Sequence, residues 1–282
     1  MSASKTKLTI NFPTIIFKRF IRYLFITVCF FVLFYSLYRL ISWKVDSDLT
    51  NEKITNSQSV IISDNIEDSE KTVIIETTPA ENDPYWSFLE MDLLDIDFSE
   101  LKKQNDQTVG WIQLDDTNIN YQYVQTDNND FYLTHSFDKS FNTAGWVFLD
   151  YRNQVNLSDK NNIIYAHGRL DGTMFGSLIN TLSEEWFNNI NNRVVKISTE
   201  TEDSLWQIFS VYQIKETSDY LKINFESNNE FLHFVEMLKE RSIFDFNTKI
   251  SLNDRIITLS TCVGITDRAV LHAKLIKTSP KV

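Results

Sequence analysis

The sequence has 282 residues and a formal net charge of −11 at neutral pH, from 27 basic and 38 acidic side chains. This acidic balance argues against a nucleic-acid binder, which needs a basic face to contact phosphate groups. Hydrophobic residues make up 43% of the chain, enough for a substantial core. The two cysteines are too few for a disulfide scaffold or for a metal site of clustered cysteines, so any cysteine chemistry depends on one thiol.

The first 45 residues form a basic, apolar zone with seven basic residues and no acidic ones. Residues 23–43 are rich in Phe, Leu, Ile and Val and reach the length of about 20 residues that a bilayer-spanning helix needs. Most of the basic residues precede this run, so the positive-inside rule predicts a cytoplasmic basic tail over 1–22, a transmembrane signal anchor over 23–43 and an extracellular remainder. Since no small-residue cleavage site follows, an uncleaved anchor in the cell membrane is favoured over a signal peptide.

Residues 44–84 differ sharply from the segment before them. Between Asp46 and Asp83 the chain carries ten acidic residues and two lysines, with scattered Ile and Val but no sustained hydrophobic period. Such a composition is typical of an extended, self-repelling chain. We therefore expect an acidic flexible linker that holds the folded domain, residues 85–282, away from the membrane.

The domain after residue 84 alternates short apolar runs with turn-forming residues. Two short helices are predicted near its start, the second over 97–101 with Asp97 or Ser99 as its N-cap. One longer helix is predicted from Asn229 to Arg241 by the three-four spacing of its apolar residues. Apolar-polar alternation predicts strands at 111–114, 119–124, 146–149, 162–165, 194–197, 205–212, 255–262 and 268–276. Many short strands with few helices indicate a mainly β fold, a closed or nearly closed antiparallel barrel.

Cys262 is the single cysteine of this domain, since Cys29 lies within the predicted membrane span. Cys262 ends one predicted strand and Arg268 opens the next, with five residues between them. So short a connection predicts an antiparallel hairpin in which the two residues are neighbours. A guanidinium beside the sulfur favours a thiolate, or an oxyanion that forms on an attacked carbonyl. A structural cysteine beside a surface arginine is equally compatible with the spacing.

His167 is the best-placed histidine to serve such a thiol. It follows the predicted strand 162–165 and precedes a loop containing Gly168 and Gly172, a position where functional groups are common. An imidazole can hold and deliver a proton near neutral pH, as a nucleophilic thiol requires. His272 shares strand parity with Arg268 and is the alternative base.

Four segments of the domain form a distinctive combination. They are Val109–Ile112 and Ile119–Tyr121 with the loop Asn129–His135, then Ala144–Asn153, then Tyr165–His167 with Asp171–Phe175, and last Thr258–Cys262 with Arg268. In these segments the sequence resembles the sortases, cysteine transpeptidases of Gram-positive bacteria, and most closely class B. The similarity extends over residues 85–277, and only the last two segments carry the chemistry.

The resemblance implies a sortase catalytic domain over 85–282 that needs no metal or organic cofactor. It implies that Cys262 attacks the threonine carbonyl of a C-terminal pentapeptide sorting signal in secreted proteins, that Arg268 holds the oxyanion and that His167 protonates the leaving amine. A peptidoglycan amine, from a precursor or cross-bridge, then resolves the thioester. By the same analogy the helix at 229–241 lies beside the substrate, and the groove is lined by Asn129, Leu133, Tyr165 and Ser260.

Two departures from the family pattern and three alternatives accompany this interpretation. Ala166 replaces the usual glycine before the histidine, and the interval from Cys262 to Arg268 is short. Asp83–Trp86 also fits the lid of a pilin-polymerising sortase, and a non-catalytic membrane-anchored binding module with an inert Cys262 is a further alternative. An L,D-transpeptidase is disfavoured, because that family keeps its histidine and cysteine within one short motif, whereas here they lie 95 residues apart.

Overall fold

A computed structural model describes residues 14–58, 73–74, 84–264 and 266–281. The chain divides after Asp48 into two compact units, each described by itself below. The helices are α1 (Thr14–Gln58), α2 (Tyr85–Leu89), α3 (Phe98–Gln104), α4 (Glu184–Asn188) and α5 (Asn228–Glu240). The strands are β1 (Val73–Ile74), β2 (Thr108–Leu114), β3 (Asn120–Val124), β4 (Phe148–Leu149), β5 (Asn161–Tyr165), β6 (Val194–Thr199), β7 (Glu202–Lys215), β8 (Ile256–Val263) and β9 (Asp267–Pro280).

Helix α1 contains the predicted membrane span. Among the described residues it is the one helix long and apolar enough to cross a bilayer. The predicted tail over 1–22 lies partly outside the described residues, and α1 already begins at Thr14. The sharper difference is at the other end, because the helix continues to Gln58 where the sequence indicated an extended linker from residue 44.

Tertiary contacts account for the added helical turns after Asp48. Within the second unit, Lys53 Nζ forms an ion pair with Asp138 at 2.8 Å and donates to Ser140 Oγ at 2.9 Å. Asn142 donates a hydrogen bond to Thr50 Oγ1 at 3.1 Å. These partners lie about ninety residues away, so local composition does not reveal them. Much of the remaining linker lies outside the described residues, except β1, which pairs with β9.

Eight strands close into the predicted barrel. The sheet runs β1-β9-β7-β6-β2-β3-β4-β5-β8, and a further pairing of β8 with β9 closes the ring. Most neighbours are antiparallel, and the long pair β7–β9 continues from Glu202↔Pro280 to Lys215↔Asp267. Two pairs run parallel, β3 with β4 and β5 with β8. The predicted closed barrel is therefore confirmed, but the β3–β4 and β5–β8 pairs are parallel where antiparallel pairing was predicted.

The barrel interior is filled by alternate residues of its strands, including the fully buried Ile112, Tyr123 and Trp206. Helix α5 packs outside the barrel, with Phe231 and Leu238 against Tyr212 and Val270. Helix α3 begins at the predicted cap, because the Asp97 carboxylate accepts a hydrogen bond from Ser99 N at 2.8 Å. The helix and strand positions predicted for this domain are thus largely confirmed, while α4 is an element that the sequence did not indicate.

Candidate active site

The parallel pair β5–β8 brings the predicted histidine and cysteine together. Tyr165, the last residue of β5, is the register partner of Ser260. Beyond this pair the two segments stay in contact, because Thr261 Oγ1 donates to the Ala166 carbonyl at 2.8 Å. Residues two apart on a strand face the same side, so Ser260 and Cys262 lie on one face of β8. His167 and Tyr165 line the same cleft as these two residues. On the other edge of β8, Cys262 is the register partner of Arg268. The predicted neighbourhood of Cys262 and Arg268 is confirmed, and the antiparallel pairing continues to Val263↔Asp267.

These residues line one cleft of about 690 Å³, within the usual range for ligand sites. Its floor is formed by the ends of β5, β8 and β9, and its two sides by the loop at 129–133 and the loop at 216–221 that follows β7. Cys262 is half-buried at this floor rather than sealed inside the barrel. The cleft contains every residue predicted for the site: Asn129, Leu133, Tyr165, His167, Ser260, Cys262 and Arg268.

The imidazole of His167 is oriented by a backbone carbonyl. Its Nε2 lies 2.7 Å from the carbonyl oxygen of Leu133. Because a carbonyl oxygen only accepts, Nε2 must carry a proton in this contact. Within the described part of the chain Nδ1 has no protein partner, so Nδ1 is the nitrogen available for proton exchange. The ring is further confined by Gly145, where an added Cβ would lie 3.0 Å from His167 Cδ2.

The guanidinium of Arg268 has a carboxylate partner in the cleft. Its NH2 lies 2.7 Å from Oε1 of Glu216, and its NH1 donates to the Asp267 carbonyl at 3.1 Å. The Arg268 side chain is 18% exposed and that of Glu216 66% exposed. Within the part of the chain that the structure describes, two of the five N–H donors of the arginine have protein partners, which leaves three donors without one.

A buried carboxylate, Asp150, fixes two of the predicted groove residues. It accepts hydrogen bonds from Tyr165 OH at 3.0 Å, from Asn129 Nδ2 at 3.1 Å and from Arg152 at 2.8 and 2.9 Å. Burial disfavours the charge, but the hydrogen bonds from Arg152 outweigh it and lower the pKa of Asp150. Asn129 Oδ1 in turn accepts from Tyr151 N at 3.0 Å. Asn129 and Tyr165 are therefore held rigidly at the cleft wall.

The other two predicted groove residues are held by different contacts. Ser260 Oγ lies 2.9 Å from the hydroxyl of Tyr220, and burial raises the pKa of Tyr220, so that hydroxyl stays protonated. Leu133 packs its side chain against the core while also lining the cleft. Both therefore have a structural role as well as a position in the groove.

The alternative base, His272, lies inside the fold. It is completely buried, with Nε2 at 2.9 Å from Tyr212 OH and Nδ1 at 2.9 Å from Thr258 Oγ1. Burial lowers its pKa to about 3. His272 has the strand parity of Arg268 but pairs with Thr258, four residues before Cys262, and is not part of the cleft. The described geometry therefore leaves His167 as the base candidate.

Three cleft-associated residues were missed by the sequence reasoning. Asp150 lies in the family-like segment Ala144–Asn153, but the sequence analysis assigned it no role. The available signal was the basic residue two positions later, Arg152. Glu216 and Tyr220 lie in the loop after β7, where nothing in the local pattern marks them. That loop, and not α5 itself, forms the cleft wall, which corrects the expectation that the helix at 229–241 borders the groove.

The segment that fits a pilin-type lid packs elsewhere. Tyr85 and Phe88 of α2 are buried against Val194, Leu205 and Ile276 of the barrel. No residue from Pro84 to Leu89 lines the cleft, and Asp83 lies outside the described residues. The described residues of this segment are the first turns of the domain, packed on the sheet.

No family model matches the sequence, but individual known proteins do. The chain is 34% identical to sortase B of Listeria monocytogenes over 63% of its own length and 73% of that protein. It is 31% identical to sortase B of Staphylococcus aureus over 64% of its length and 75% of that protein. A solved sortase B from Bacillus anthracis is similar with a TM-score of 0.66 and 32% identity, covering 83% of this chain and 99% of the other.

Proposed function

The chain belongs to the class B sortases, a family of cysteine transpeptidases, and we propose that it cleaves a C-terminal pentapeptide sorting signal after threonine and joins the secreted protein to a peptidoglycan amine. The observation that carries the proposal is the convergence of Cys262, His167 and Arg268 on one open cleft. Cys262 and Arg268 are register partners on β8 and β9, and His167 follows the end of β5 by two residues.

The first half-reaction follows from these three groups. The Cys262 thiolate attacks the threonine carbonyl, and the developing oxyanion accepts hydrogen bonds from the free donors of Arg268. Protonated His167 then gives a proton to the departing amine, so the C–N bond breaks and a thioester remains. Nδ1 is the nitrogen that delivers this proton, because the Leu133 carbonyl keeps Nε2 protonated.

The second half-reaction reverses the roles. An incoming amine attacks the thioester carbon, His167 accepts its proton, and the C–S bond breaks to release Cys262. Two solved relatives support such a pair of substrates: a Staphylococcus aureus sortase B was solved as a substrate complex, and a sortase B was solved with a glycine tripeptide. Each is 31% identical to this chain, with a TM-score of 0.60.

We propose that α1 anchors the enzyme in the cell membrane as a single pass, with the N-terminus in the cytoplasm and the catalytic domain outside. Support comes from the length and apolar composition of the helix and from the basic residues that precede it. Both proposed substrates meet at the extracellular surface of the cell membrane, and the anchor keeps the enzyme at that same surface.

The test uses the full chain in detergent micelles with a library of quenched fluorescent pentapeptides that carry threonine at the fourth position. We expect cleavage after threonine, a covalent acyl-enzyme visible by intact-protein mass spectrometry, and neither of these with Cys262→Ala. Full cleavage by Cys262→Ala, or no cleavage of any library member by the unaltered chain, would contradict the proposal. Incubation with pilin subunits distinguishes the proposed reaction from that of a pilin-polymerising sortase, because only the latter would produce covalent ladders.

A further inference from the structure

One side of the cleft is a loop whose backbone is held by side chains from other elements. This loop, residues 216–222, is the wall loop, and most of its residues line the cleft. Asn161, the first residue of β5, donates its side-chain amide to the carbonyl of Tyr220 at 3.3 Å and to that of Lys222 at 2.9 Å. A strand beneath the cleft therefore fixes the backbone of the wall loop.

The amide of Asn161 uses both of its polar atoms inside the fold, where the residue is completely buried. Since carbonyl oxygens only accept, its nitrogen must face the wall loop, and its oxygen accepts from Thr258 Oγ1 at 2.7 Å. The single hydroxyl proton of Thr258 is used in this bond, so His272 Nδ1, 2.9 Å from the same hydroxyl oxygen, donates to it. The orientation of the Asn161 amide is therefore fixed from both ends.

A second side chain holds the carbonyl that lies between these two. Arg152 donates to the Leu221 carbonyl at 3.3 Å, and its guanidinium is itself held by the Asp150 carboxylate at 2.8 and 2.9 Å. Asp150 also accepts from Asn129, on the opposite side of the cleft, at 3.1 Å. Three consecutive carbonyls of the wall loop thus have side-chain donors, and one ion pair joins the two sides of the cleft.

The next residue along β5, Asn162, is a natural comparison for Asn161. It is also completely buried, and its amide also donates to two backbone carbonyls, those of Asp159 at 2.9 Å and Ile256 at 3.1 Å. Among the described residues, neither of these two carbonyl-bearing residues lines the cleft. The two neighbouring amides are therefore alike in burial and bonding and differ in which backbone they hold.

We propose that Asn161 and Arg152 are positioning residues for the sorting-signal cleft, which act by holding the backbone of the wall loop in place beside Cys262. The inference rests on the proposed function, in which this cleft holds the peptide. The wall loop carries Tyr220, whose hydroxyl lies 2.9 Å from Ser260 Oγ. Loss of the donors leaves carbonyls of the loop unpaired, so the loop moves toward water and the peptide loses binding surface, while the chemistry at Cys262 is retained.

The main experiment compares Asn161→Asp with Asn162→Asp in the full chain in detergent, with the best library peptide. A carboxylate keeps the shape of the amide but cannot donate to the carbonyls. Asn161→Asp should raise KM about ten-fold and leave kcat within three-fold, the pattern expected when substrate binding is lost. Alkylation of Cys262 by iodoacetamide, followed by mass spectrometry, should stay within two-fold. Asn162→Asp should leave KM within two-fold at a comparable loss of thermal stability.

Arg152→Lys is the second variant, and it decides the matter if the buried substitution prevents folding, because the Arg152 side chain is 42% exposed. Lysine keeps the charge beside Asp150 but lacks the forked donors that also reach the Leu221 carbonyl. It should raise KM about three-fold with kcat little changed. An unchanged KM in Asn161→Asp and Arg152→Lys, or an equal rise in Asn162→Asp, would overturn the proposal.

Hydrogen–deuterium exchange separates the failure of this proposal from the failure of the proposed function, because it needs no substrate. The backbone amides of the wall loop should exchange at least five-fold faster in Asn161→Asp than in the unaltered chain, and at the unaltered rate in Asn162→Asp. Equal exchange in all three proteins would overturn the positioning role. Faster exchange in Asn161→Asp alone, in a chain that cleaves no peptide, would refute the proposed function and uphold the hold of Asn161 on the wall loop.

Discussion

The β8–β9 hairpin carries two functional environments only a few residues apart. Next to its turn, Cys262 and Arg268 line an open cleft together with His167. In its middle, His272 is the register partner of Thr258 and is buried. Its ring nitrogens lie within hydrogen-bond distance of Thr258 Oγ1 and Tyr212 OH. The comparison teaches that strand parity alone does not assign a histidine to chemistry. Its depth along the strand decides whether it meets substrate or stabilises the core.

The largest effect is expected from removing the cleft histidine. His167→Ala should lower the acylation rate at least 10³-fold, because the leaving amine loses its proton donor. The rate is measured by peptide cleavage in detergent, and thermal unfolding serves as the control for folding. Retention of more than a tenth of the activity would show that another group supplies the proton.

Removing the cleft guanidinium should have the next largest effect. Arg268→Ala should lower the cleavage rate about 10²- to 10³-fold, as loss of an oxyanion donor typically does. Arg268→Lys restores the charge without the forked donors and should recover only part of the rate. Equal rates for the lysine variant and the unaltered chain would mean that charge alone, and not donor geometry, matters.

The buried histidine should show the opposite pattern. His272→Ala leaves a cavity and removes the partner of Tyr212 OH and Thr258 Oγ1, so it should lower the free energy of unfolding by about 2–4 kcal/mol. The acylation rate at 20 °C should stay within about three-fold. Chemical denaturation and peptide cleavage give the two values. A large loss of rate without loss of stability would return His272 to the list of candidate bases.

The two environments should also differ in their response to pH. The pKa of His272 is about 3 in the folded chain against 6.5 for an ordinary histidine, so between these values the unfolded chain binds a proton that the folded chain does not. The stability it supports is complete above pH 6.5 and decreases as the pH falls, by about 2 kcal/mol between pH 7.5 and pH 5. His272→Gln removes this titration, so its unfolding free energy should decrease less over the same interval.

The smallest effect is expected at the partner of Arg268. Glu216 is mostly exposed and its ion pair is worth roughly 0.2–1 kcal/mol, so Glu216→Gln should raise cleavage efficiency only about two-fold by freeing the guanidinium for the oxyanion. Added salt should accelerate the unaltered chain and leave the variant unchanged. A slower variant would instead assign Glu216 a direct contact with substrate.

Local patterns in the sequence determined most of the fold and the chemical residues. Apolar alternation gave the strands, the Asp97 cap marked the start of α3, and the short interval after Cys262 predicted its pairing with Arg268. These features depend on neighbours within a few residues, which a linear sequence displays directly. The tertiary structure decided what depends on distant neighbours. These features are the parallel pairing of β5 with β8 that places His167 and Cys262 in one cleft, the burial of His272, the helical turns held by Lys53 and Asp138, and the contact of Glu216 with Arg268. Such contacts form between segments tens of residues apart, so packing alone fixes them.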